Sequence, residues 1–265
     1  MNDLRIVIPS RGRADHQLTI RSLPECLLPQ TVVVVPKEDL AAYKRLHGSK
    51  VEVIAQPKRI ETIAQKRGWI CKELCEEKLV MLDDDLVFQV RYDAKMRPAK
   101  EITTGVRLLQ ARGSSEVENG FADLSDLLDK YVHGGFGSRL FNNGKPEAIR
   151  YTTRCMHALA YTREACGIIK WGRVNLKEDF DAALQLLRKG YNNFLIQYVA
   201  VSPQGRYGAA GGCTEERAKS GHSQSAHELA AAHPEYVKVV TKNYKGIPRD
   251  EVVISWRKAL ADGSR

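Results

Sequence analysis

The sequence predicts an α/β fold with a mixed, mostly parallel sheet flanked by helices. Short aliphatic or β-branched runs alternate with amphipathic stretches through the first third of the 265-residue chain. Strands and helices that alternate at this spacing form a doubly wound, Rossmann-like unit. Ligands of such sheets bind beyond the carboxyl ends of the strands, so residues that follow predicted strands are the first candidates for a functional site.

Three strands and three helices are predicted before residue 76. The strands are residues 5–9, closed by Ser10-Arg11-Gly12-Arg13, then 31–35 and 51–54. The helical segments are residues 17–22, 37–46 and 60–75, the last with Ile63, Ile70 and Leu74 on one stripe.

The most informative segment is the next strand, residues 78–82, which ends in Asp83, Asp84 and Asp85. Adjacent carboxylates repel one another, and burying them is costly unless a cation or hydrogen-bond donors compensate. Because side chains alternate along a strand, we expect Asp83 and Asp85 on one face and Asp84 on the other. Two such carboxylates suit Mg²⁺ or Mn²⁺ carrying a polyphosphate, and a solvated acidic turn is the alternative.

The second half has a less regular pattern. Residues 94–151 are interpreted as an acceptor-side insertion, with loops at Gly134-Gly135, Gly137 and Asn142-Asn143-Gly144 around an amphipathic stretch, 121–131. Strands are predicted at 156–161 and 194–201, and helices at 163–169, at 177–190 and near Glu228. A glycine-rich loop, 205–213, and a basic tail from Lys238 form a C-terminal extension.

The composition restricts the class of protein. Lys and Arg number 41 against 32 Asp and Glu, a net charge of +9, which favours a polyanionic partner such as nucleic acid or a phosphate-bearing substrate. The six cysteines lack metal-ligand spacing, which indicates reduced thiols. We see no apolar run of transmembrane length and no signal-peptide layout, so we expect a cytoplasmic protein with no membrane partner.

Two motifs occur in a suggestive order. The Asp-x-Asp strand end follows a helix carrying Arg67, and Glu178-Asp179-Phe180-Asp181 later opens a helix that ends in Arg188-Lys189-Gly190-Tyr191. This order resembles the GT-A glycosyltransferases, which move a sugar from a nucleotide-sugar to an acceptor. The Glu-Asp-x-Asp helix is typical of the inverting members of that fold.

A narrower resemblance rests on three further segments. They are Ile8-Pro9-Ser10-Arg11-Gly12-Arg13, the Leu82-Asp83-Asp84-Asp85 strand end, and Gly212-Cys213 ahead of His233-Pro234-Glu235-Tyr236-Val237. With them the chain resembles the small phage-encoded TET-associated glycosyltransferases, whose acceptors are hydroxymethylated pyrimidines in DNA. The resemblance implies a nucleotide-sugar donor, a modified DNA acceptor and, for a phage-encoded enzyme, a place in the host cytoplasm. It leaves the oligomeric state open.

The resemblance also implies roles for the candidate residues. Donor binding is assigned to Pro9, Ser10, Arg11, Arg13, Arg67, Asp83 and Asp84. A Mn²⁺ or Mg²⁺ ion is assigned to Asp83, Asp85 and His222, with His227 and His233 as alternatives to His222. Catalysis is assigned to the base Asp179, with Glu178 beside it, and acceptor binding to Trp171, Asp181 and Arg154.

The implied domain organisation is one catalytic domain, residues 1–265. Residues 1–93 form its nucleotide-sugar-binding half, 94–203 its acceptor-binding half with the catalytic helix, and 204–265 its C-terminal loop and basic tail.

Other functions stay open at this point. A GT-A enzyme with a glycan or another non-DNA acceptor fits the same motifs. A Mg²⁺-dependent nucleotidyltransferase or phosphohydrolase would use the same acids with a further acid beside them. A basic DNA-binding module would carry the acidic turn incidentally, and the acids of residues 178–181 would then serve only the helix dipole.

Overall fold

The computed structural model describes residues 3–92, 107–110, 115–139, 148–204, 221–244 and 246–264. Ten strands of these described residues form one mixed sheet. In chain order they are β1 (Leu4–Pro9), β2 (Thr31–Val35), β3 (Glu52–Ala55), β4 (Lys78–Leu82), β5 (Leu86–Tyr92), β6 (Arg107–Gln110), β7 (His133–Ser138), β8 (Ile149–Tyr151), β9 (Ala158–Thr162) and β10 (Phe194–Pro203). Their order in the sheet is β3-β2-β1-β4-β9-β7-β10-β5-β6, with β8 paired to β10.

Strand direction agrees with the predicted fold class. Strands β1 to β4 are parallel, and β7 and β10 form a further parallel pair. Strand β9 runs antiparallel between β4 and β7, and β5 runs antiparallel to β10. The carboxyl ends of β1 and β4 therefore meet at one edge of the sheet, as the sequence predicts.

Eight α-helices belong to the described residues. They are α1 (Leu18–Ser22), α2 (Leu40–His47), α3 (Ile63–Leu74), α4 (Ser115–Leu128), α5 (Arg163–Ile168), α6 (Glu178–Leu187), α7 (His222–Ala232) and α8 (Trp256–Gly263). Within these ranges, no helix combines the length and apolar character that crossing a membrane requires.

Side-chain alternation explains why helices cover both faces of the sheet. Ile6 and Ile8 of β1 belong to one buried cluster, together with residues of α1, α2 and α4, while Val7 between them belongs to a second cluster with residues of α3, α5 and α6. The local ends of the helices also follow the sequence. Thr62 and Gln65 form a capping box at the start of α3, and Gly190, with φ +85°, follows the end of α6.

The prediction of loops at Gly134, Gly135 and Gly137 is wrong, because these residues lie in β7, a buried central strand. A Cβ atom on Gly134 would lie 2.4 Å from the Phe194 ring, and one on Gly135 would lie 2.1 Å from the Ala158 carbonyl oxygen. Glycine is therefore needed at these positions because it lets neighbouring residues pack closely against the strand, and not because the chain forms a loop. The described parts of residues 94–151 thus supply strands β6, β7 and β8 to the main sheet and also form helix α4, and residues 142–144 lie outside the described residues.

The prediction of a basic tail from Lys238 is also wrong, because these residues form regular secondary structure. Strands β11 (Val237–Tyr244) and β12 (Ile247–Ile254) form an antiparallel hairpin, followed by α8. A third buried cluster joins them to the rest of the protein through Leu184 and Leu187 of α6 and Leu229 of α7. The glycine-rich segment 205–213 lies outside the described residues.

Candidate active site

The loop after β1 forms one wall of the site. Ser10 is buried, and its hydroxyl accepts a hydrogen bond from Gln17 Nε2 at 2.7 Å, lies 2.7 Å from the Tyr43 hydroxyl and donates to Asp84. Lys66 Nζ, on α3, donates to the Ser10 carbonyl oxygen at 2.9 Å. The predicted donor-binding loop is therefore anchored from several directions, and its Ser10 side chain is already engaged within the protein.

Asp84 connects this loop to the end of β4. Its Oδ1 lies 2.8 Å from Arg13 Nη1, and the same nitrogen lies 3.5 Å from Asp85 Oδ2. Burial raises the pKa of Asp84, although the Ser10 hydrogen bond and the Arg13 charge oppose that shift. Asp84 thus fixes the positions of Ser10 and Arg13 instead of facing open solvent.

Asp83 faces a different set of partners. Its carboxylate accepts from Arg67 Nη2 at 3.0 Å and lies 2.9 Å from His157 Nδ1, while its backbone N–H donates to the His157 carbonyl at 2.8 Å. Asp83 and Asp84 therefore diverge as alternation predicts. The pattern does not continue to Asp85, which shares Arg13 with Asp84, because β4 ends at Leu82 and the aspartates lie in the connection to β5.

His157 is a site residue that the sequence did not reveal. Its backbone φ is +65°, a conformation uncommon outside glycine, and it directly precedes β9. Burial lowers the pKa of its imidazole, but the hydrogen bond and charge of Asp83 outweigh burial, so the net shift is upward. A histidine inside an apolar strand-like segment gives no sequence signal for this placement, which depends on pairing between β4 and β9.

Arg67 joins the two predicted motifs. Its side chain is 7% exposed, and its Nη1 lies 2.9 Å from Glu178 Oε1 while Nη2 binds Asp83. Burial raises the pKa of Glu178 to about 7, with the Arg67 charge opposing and the Asp179 charge adding to that shift. The Asp-x-Asp and Glu-Asp-x-Asp motifs, far apart in sequence, therefore meet across one guanidinium group.

Asp179 occupies the first turn of α6. Its Oδ1 accepts from the Phe180 N–H at 2.9 Å, and its pKa is raised by burial while the charges of Arg67 and His157 oppose the shift. Arg154 is half-buried, which lowers its guanidinium pKa, and the charge of Asp179 partly offsets that effect. A half-buried carboxylate with a raised pKa at the edge of this cluster is a suitable proton acceptor.

Asp83 and Asp85 are the aspartates that the sequence assigns to a divalent cation. Burial, together with the charges of Asp83 and Asp84, raises the pKa of Asp85 to about 6. The Arg13 guanidinium lies 3.5 Å from Asp85 and closer, at 2.8 Å, to Asp84, so an added cation near Asp85 would be favourable. Within the described residues, no group of three or more His, Cys, Asp or Glu side chains is arranged to hold a metal alone. Mg²⁺ usually takes one or two carboxylates and completes its shell with water and substrate phosphates, so a site of this kind needs no third protein ligand beyond Asp83 and Asp85.

The structure pairs His222, the predicted third metal ligand, with other residues. Its Nε2 lies 2.9 Å from Glu251 Oε1 and 3.1 Å from Lys177 Nζ, and the Arg249 guanidinium also contacts it. The alternatives are likewise engaged, because His227 contacts Asp250 and His233 contacts Asp181. The structure instead places His157 against Asp83.

The predicted acceptor residues differ in their surroundings. Asp181 is 2% exposed, and its carboxylate lies 2.7 Å from His233 Nε2 and accepts from Gln185 Nε2 at 2.9 Å. Trp171 packs edge-on against Tyr161, with 6.0 Å between ring centroids, and closes over Gly68. Both therefore have structural roles, whereas Arg154 lies within electrostatic range of Asp179.

The two remaining donor candidates follow directly from the strand. Pro9 is the last residue of β1 and is buried, and Arg11 is exposed at the mouth of the loop. An exposed guanidinium beside a buried polar cluster is suited to a phosphate that arrives from solvent.

Two phage enzymes are similar to this chain in sequence. The chain is 26% identical over 247 residues to the β-glucosyl-HMC-α-glucosyl-transferase of Enterobacteria phage T6, covering 91% of this chain and 85% of that protein. The enzyme of the same name from phage T2 is 25% identical over the same shares of both chains.

Solved structures show the same fold at low sequence identity. Glucosyl-3-phosphoglycerate synthase from Mycobacterium tuberculosis, in complex with Mn²⁺, UDP and glucosyl-3-phosphoglycerate, superposes with a TM-score of 0.55 at 8% identity, over 95% of this chain and 87% of that one. The same synthase with Mg²⁺ and UDP gives a TM-score of 0.55 at 11% identity, over the same shares.

The family model of the TET-associated glycosyltransferases matches residues 4–212, which contain every strand of the main sheet and the joined carboxylate motifs. This match confirms the resemblance drawn from the motifs, and the GT-A fold is confirmed by the architecture and its structural relatives. The chain therefore belongs to the TET-associated glycosyltransferase family.

Proposed function

We propose that the protein transfers a sugar from a UDP-sugar to a hydroxymethylated pyrimidine in DNA, with the help of Mn²⁺ or Mg²⁺ and with inversion at the anomeric carbon. The observation that carries the proposal is the Arg67 bridge between Asp83 and Glu178, which joins the two carboxylate motifs at one guanidinium group. The two phage relatives are named for glucosyl transfer to a hydroxymethylcytosine derivative, and the solved relatives contain UDP with Mn²⁺ or Mg²⁺.

The donor half would hold the nucleotide-sugar between the β1 loop and the end of β4. Arg11 and Arg13 would bind the diphosphate, since guanidinium groups pair with phosphate through two hydrogen bonds. Asp83 and Asp85 would hold the divalent cation, which when bound would neutralise charge that develops on the leaving diphosphate. Arg67, buried and always charged, would keep Asp83 oriented toward that position.

The acceptor half would supply the base. A hydroxymethyl oxygen is a weak nucleophile, so Asp179 would accept its proton as the oxygen attacks the anomeric carbon. Glu178, whose pKa is raised by burial to about 7, would stay bound to Arg67 and hold the start of α6 in place. On this assignment residues 1–93 bind the donor and residues 94–203 bind the acceptor within one catalytic domain.

The names of the two relatives favour a second candidate reaction. They describe transfer of an α-glucosyl group to a β-glucosylated hydroxymethylcytosine. For this chain, the acceptor hydroxyl would then belong to a sugar already on the base. With an α-linked donor, an α-linked product would mean retention instead of inversion.

Nucleoside mass spectrometry separates these reactions. The enzyme would be incubated with Mn²⁺, a panel of nucleotide-sugars and three DNAs, which carry cytosine, hydroxymethylcytosine or glucosylated hydroxymethylcytosine. We expect a single added sugar on hydroxymethylated DNA and none on plain DNA. Addition only to the glucosylated DNA supports the second candidate. Proton NMR of the isolated product nucleoside gives the coupling constant at the new anomeric centre, which distinguishes inversion from retention.

Two outcomes contradict the proposal. Sugar on a glycan, lipid or protein while all three DNAs stay unmodified would leave only the GT-A fold assignment. Nucleotide turnover with no sugar transfer would favour a nucleotidyltransferase or phosphohydrolase.

A further inference from the structure

The C-terminal hairpin has two chemically distinct faces. Residues that lie opposite each other in an antiparallel pair project to the same side. By the pairing of β11 with β12, one side, here called the cationic face, carries Lys238, Val240, Lys242, Arg249, Glu251 and Val253. The opposite side carries Val237, Val239, Thr241, Asp250, Val252 and Ile254.

The opposite side is fixed against the protein. Val237 is buried there, and Val252 and Ile254 pack on the same cluster, which includes Leu184 of α6 and Leu229 of α7. Asp250 of this side contacts His227 of α7, with 3.0 Å between its Oδ2 and the imidazole Nε2. The orientation of the hairpin relative to the catalytic helix α6 is therefore set by packing.

The cationic face is accessible at Lys238, Lys242 and Val253, whereas Arg249 and Glu251 contact His222 of α7. Lys238 and Lys242 are exposed, and Val253 is 51% exposed, one of the few large apolar side chains with that much surface in the described residues. The one acidic residue of the cationic face, Glu251, forms ion pairs with Lys177 Nζ at 3.4 Å and with Arg249 Nε at 3.2 Å. The charges left for an outside partner are therefore positive.

The middle of the cationic face adjoins the start of α6. Glu251 binds Lys177, which immediately precedes Glu178 and Asp179 at the start of α6. Arg154 interacts electrostatically with both Asp179 and Glu251. A polyanion lying along the face would therefore reach the position where Asp179 meets the acceptor.

We propose that the cationic face binds the phosphate backbone of the DNA acceptor next to the modified base, an inference that rests on the proposed function. Lys238 and Lys242 are four residues apart, or about 14 Å along a strand. That distance corresponds to about four nucleotides at the rise of one DNA strand. The hairpin lies beyond residue 212, where the match to the family model ends, so the surface is assigned from this structure.

Salt-dependent DNA binding tests this surface directly. The affinity of the Lys238→Ala/Lys242→Ala variant for an unmodified fluorescent duplex would be measured by anisotropy over a range of salt concentrations. Each lost phosphate contact reduces the slope of log K against log salt by about 0.9, so we expect the slope to fall by about 2. The control variant, Lys50→Ala/Lys72→Ala, removes the same charge from exposed positions elsewhere and should keep the wild-type slope.

The outcomes distinguish this inference from the proposed function. Suppose that wild type modifies hydroxymethylated DNA. If both double variants keep the wild-type slope of log K against log salt, or if both reduce that slope equally, the surface assignment is wrong and the proposed function stands. If wild type modifies none of the DNAs, the function fails whatever the slopes are. Unchanged thermal stabilisation by UDP and Mn²⁺ in the hairpin variant would show that the fold is intact. Loss of binding to polyglutamate with unchanged DNA binding would assign the face to an acidic protein and overturn the proposal.

Discussion

Arg67 Nη1 lies 2.9 Å from Glu178 Oε1, and Nη2 of the same guanidinium lies 3.0 Å from Asp83 Oδ1. Removing one partner of a buried ion pair leaves an uncompensated charge and costs about 3–5 kcal/mol. We expect Arg67→Met to lower the free energy of unfolding by that amount in urea denaturation. Arg45→Met, at an exposed position on α2, should change it by less than about 0.5 kcal/mol.

Arg67→Lys separates charge from geometry. Lysine keeps the positive charge but has a single nitrogen and cannot bind two carboxylates in a planar fork. We expect sugar transfer to fall at least about tenfold while the variant remains folded. Wild-type turnover in Arg67→Lys would show that the bridge between the two motifs is dispensable.

Asp83→Asn and Asp85→Asn test the proposed metal site. Each variant keeps the size of the side chain but removes one hard anionic ligand, so stabilisation by UDP with Mn²⁺ should be lost in a thermal-shift titration. Asp126→Asn, exposed on α4, provides the matched control and should retain the full shift. Retention of the Mn²⁺-dependent shift in both site variants would remove these residues from the proposed metal site.

Asp179→Asn should separate donor binding from turnover. A base acts on the acceptor hydroxyl and not on the diphosphate, so we expect donor affinity close to wild type and a kcat lower by about 10²–10⁴. Asp181→Asn serves as the comparison. Asp181 has buried contacts with His233 and Gln185, so we expect this variant to lower the free energy of unfolding. Near wild-type transfer by Asp179→Asn would direct attention to Glu178.

Gly134→Ala tests the role of glycine in β7. The added Cβ would lie 2.4 Å from the Phe194 ring, a contact that requires the ring or the strand to shift. We expect destabilisation of about 1–3 kcal/mol or more, measured by urea unfolding. Gly167→Ala is the control, because nothing lies within 4 Å of its Cβ position in α5 and alanine favours a helix. Equal stability of the two variants would contradict close packing at Gly134.

The same glycine shows where sequence reasoning stops. The β-branched run of β2 and the apolar stripe of α3 predict their elements because local propensity and burial agree there. Gly134 and Gly135 instead satisfy a contact with Phe194 and Ala158, residues distant in sequence, so the local pattern resembles a loop. The C-terminal hairpin was missed for a related reason, since its lysines give it the composition of a solvated tail.

The candidate site also has residues that the sequence identifies and contacts that only the structure reveals. The sequence locates Asp83 to Asp85 and Glu178 to Asp179, because clustered acids at an element boundary are a local signal. It does not show that Asp84 is committed to Ser10 and Arg13, nor that His157 holds Asp83. Those contacts depend on strand order in the sheet, which brings β1, β4 and β9 side by side.

His133 predicts a specific acid sensitivity. The imidazole is fully buried in β7, stacks on Tyr161, and its Nδ1 lies 2.9 Å from the Ala160 carbonyl oxygen, which fixes that nitrogen as the donor. Burial lowers the pKa of His133 to about 4, although the Ala160 hydrogen bond opposes the shift. In the unfolded chain a histidine titrates near 6.5, so the unfolded state binds the proton first as pH falls. The stabilising contribution is therefore complete above pH ~6.5 and is lost as the pH falls toward 4.

The size of that loss follows from the shift, at 1.36 kcal/mol per pKa unit, and amounts to about 3 kcal/mol. We expect His133→Asn, which keeps a donor for Ala160 but cannot gain a proton, to flatten the decline in unfolding free energy between pH ~6.5 and ~4 by that amount. His16→Asn, at an exposed position, should follow the wild-type profile. Chemical denaturation of the three proteins at half-unit pH steps gives the comparison, and parallel curves for wild type and His133→Asn would exclude His133 as a source of acid instability.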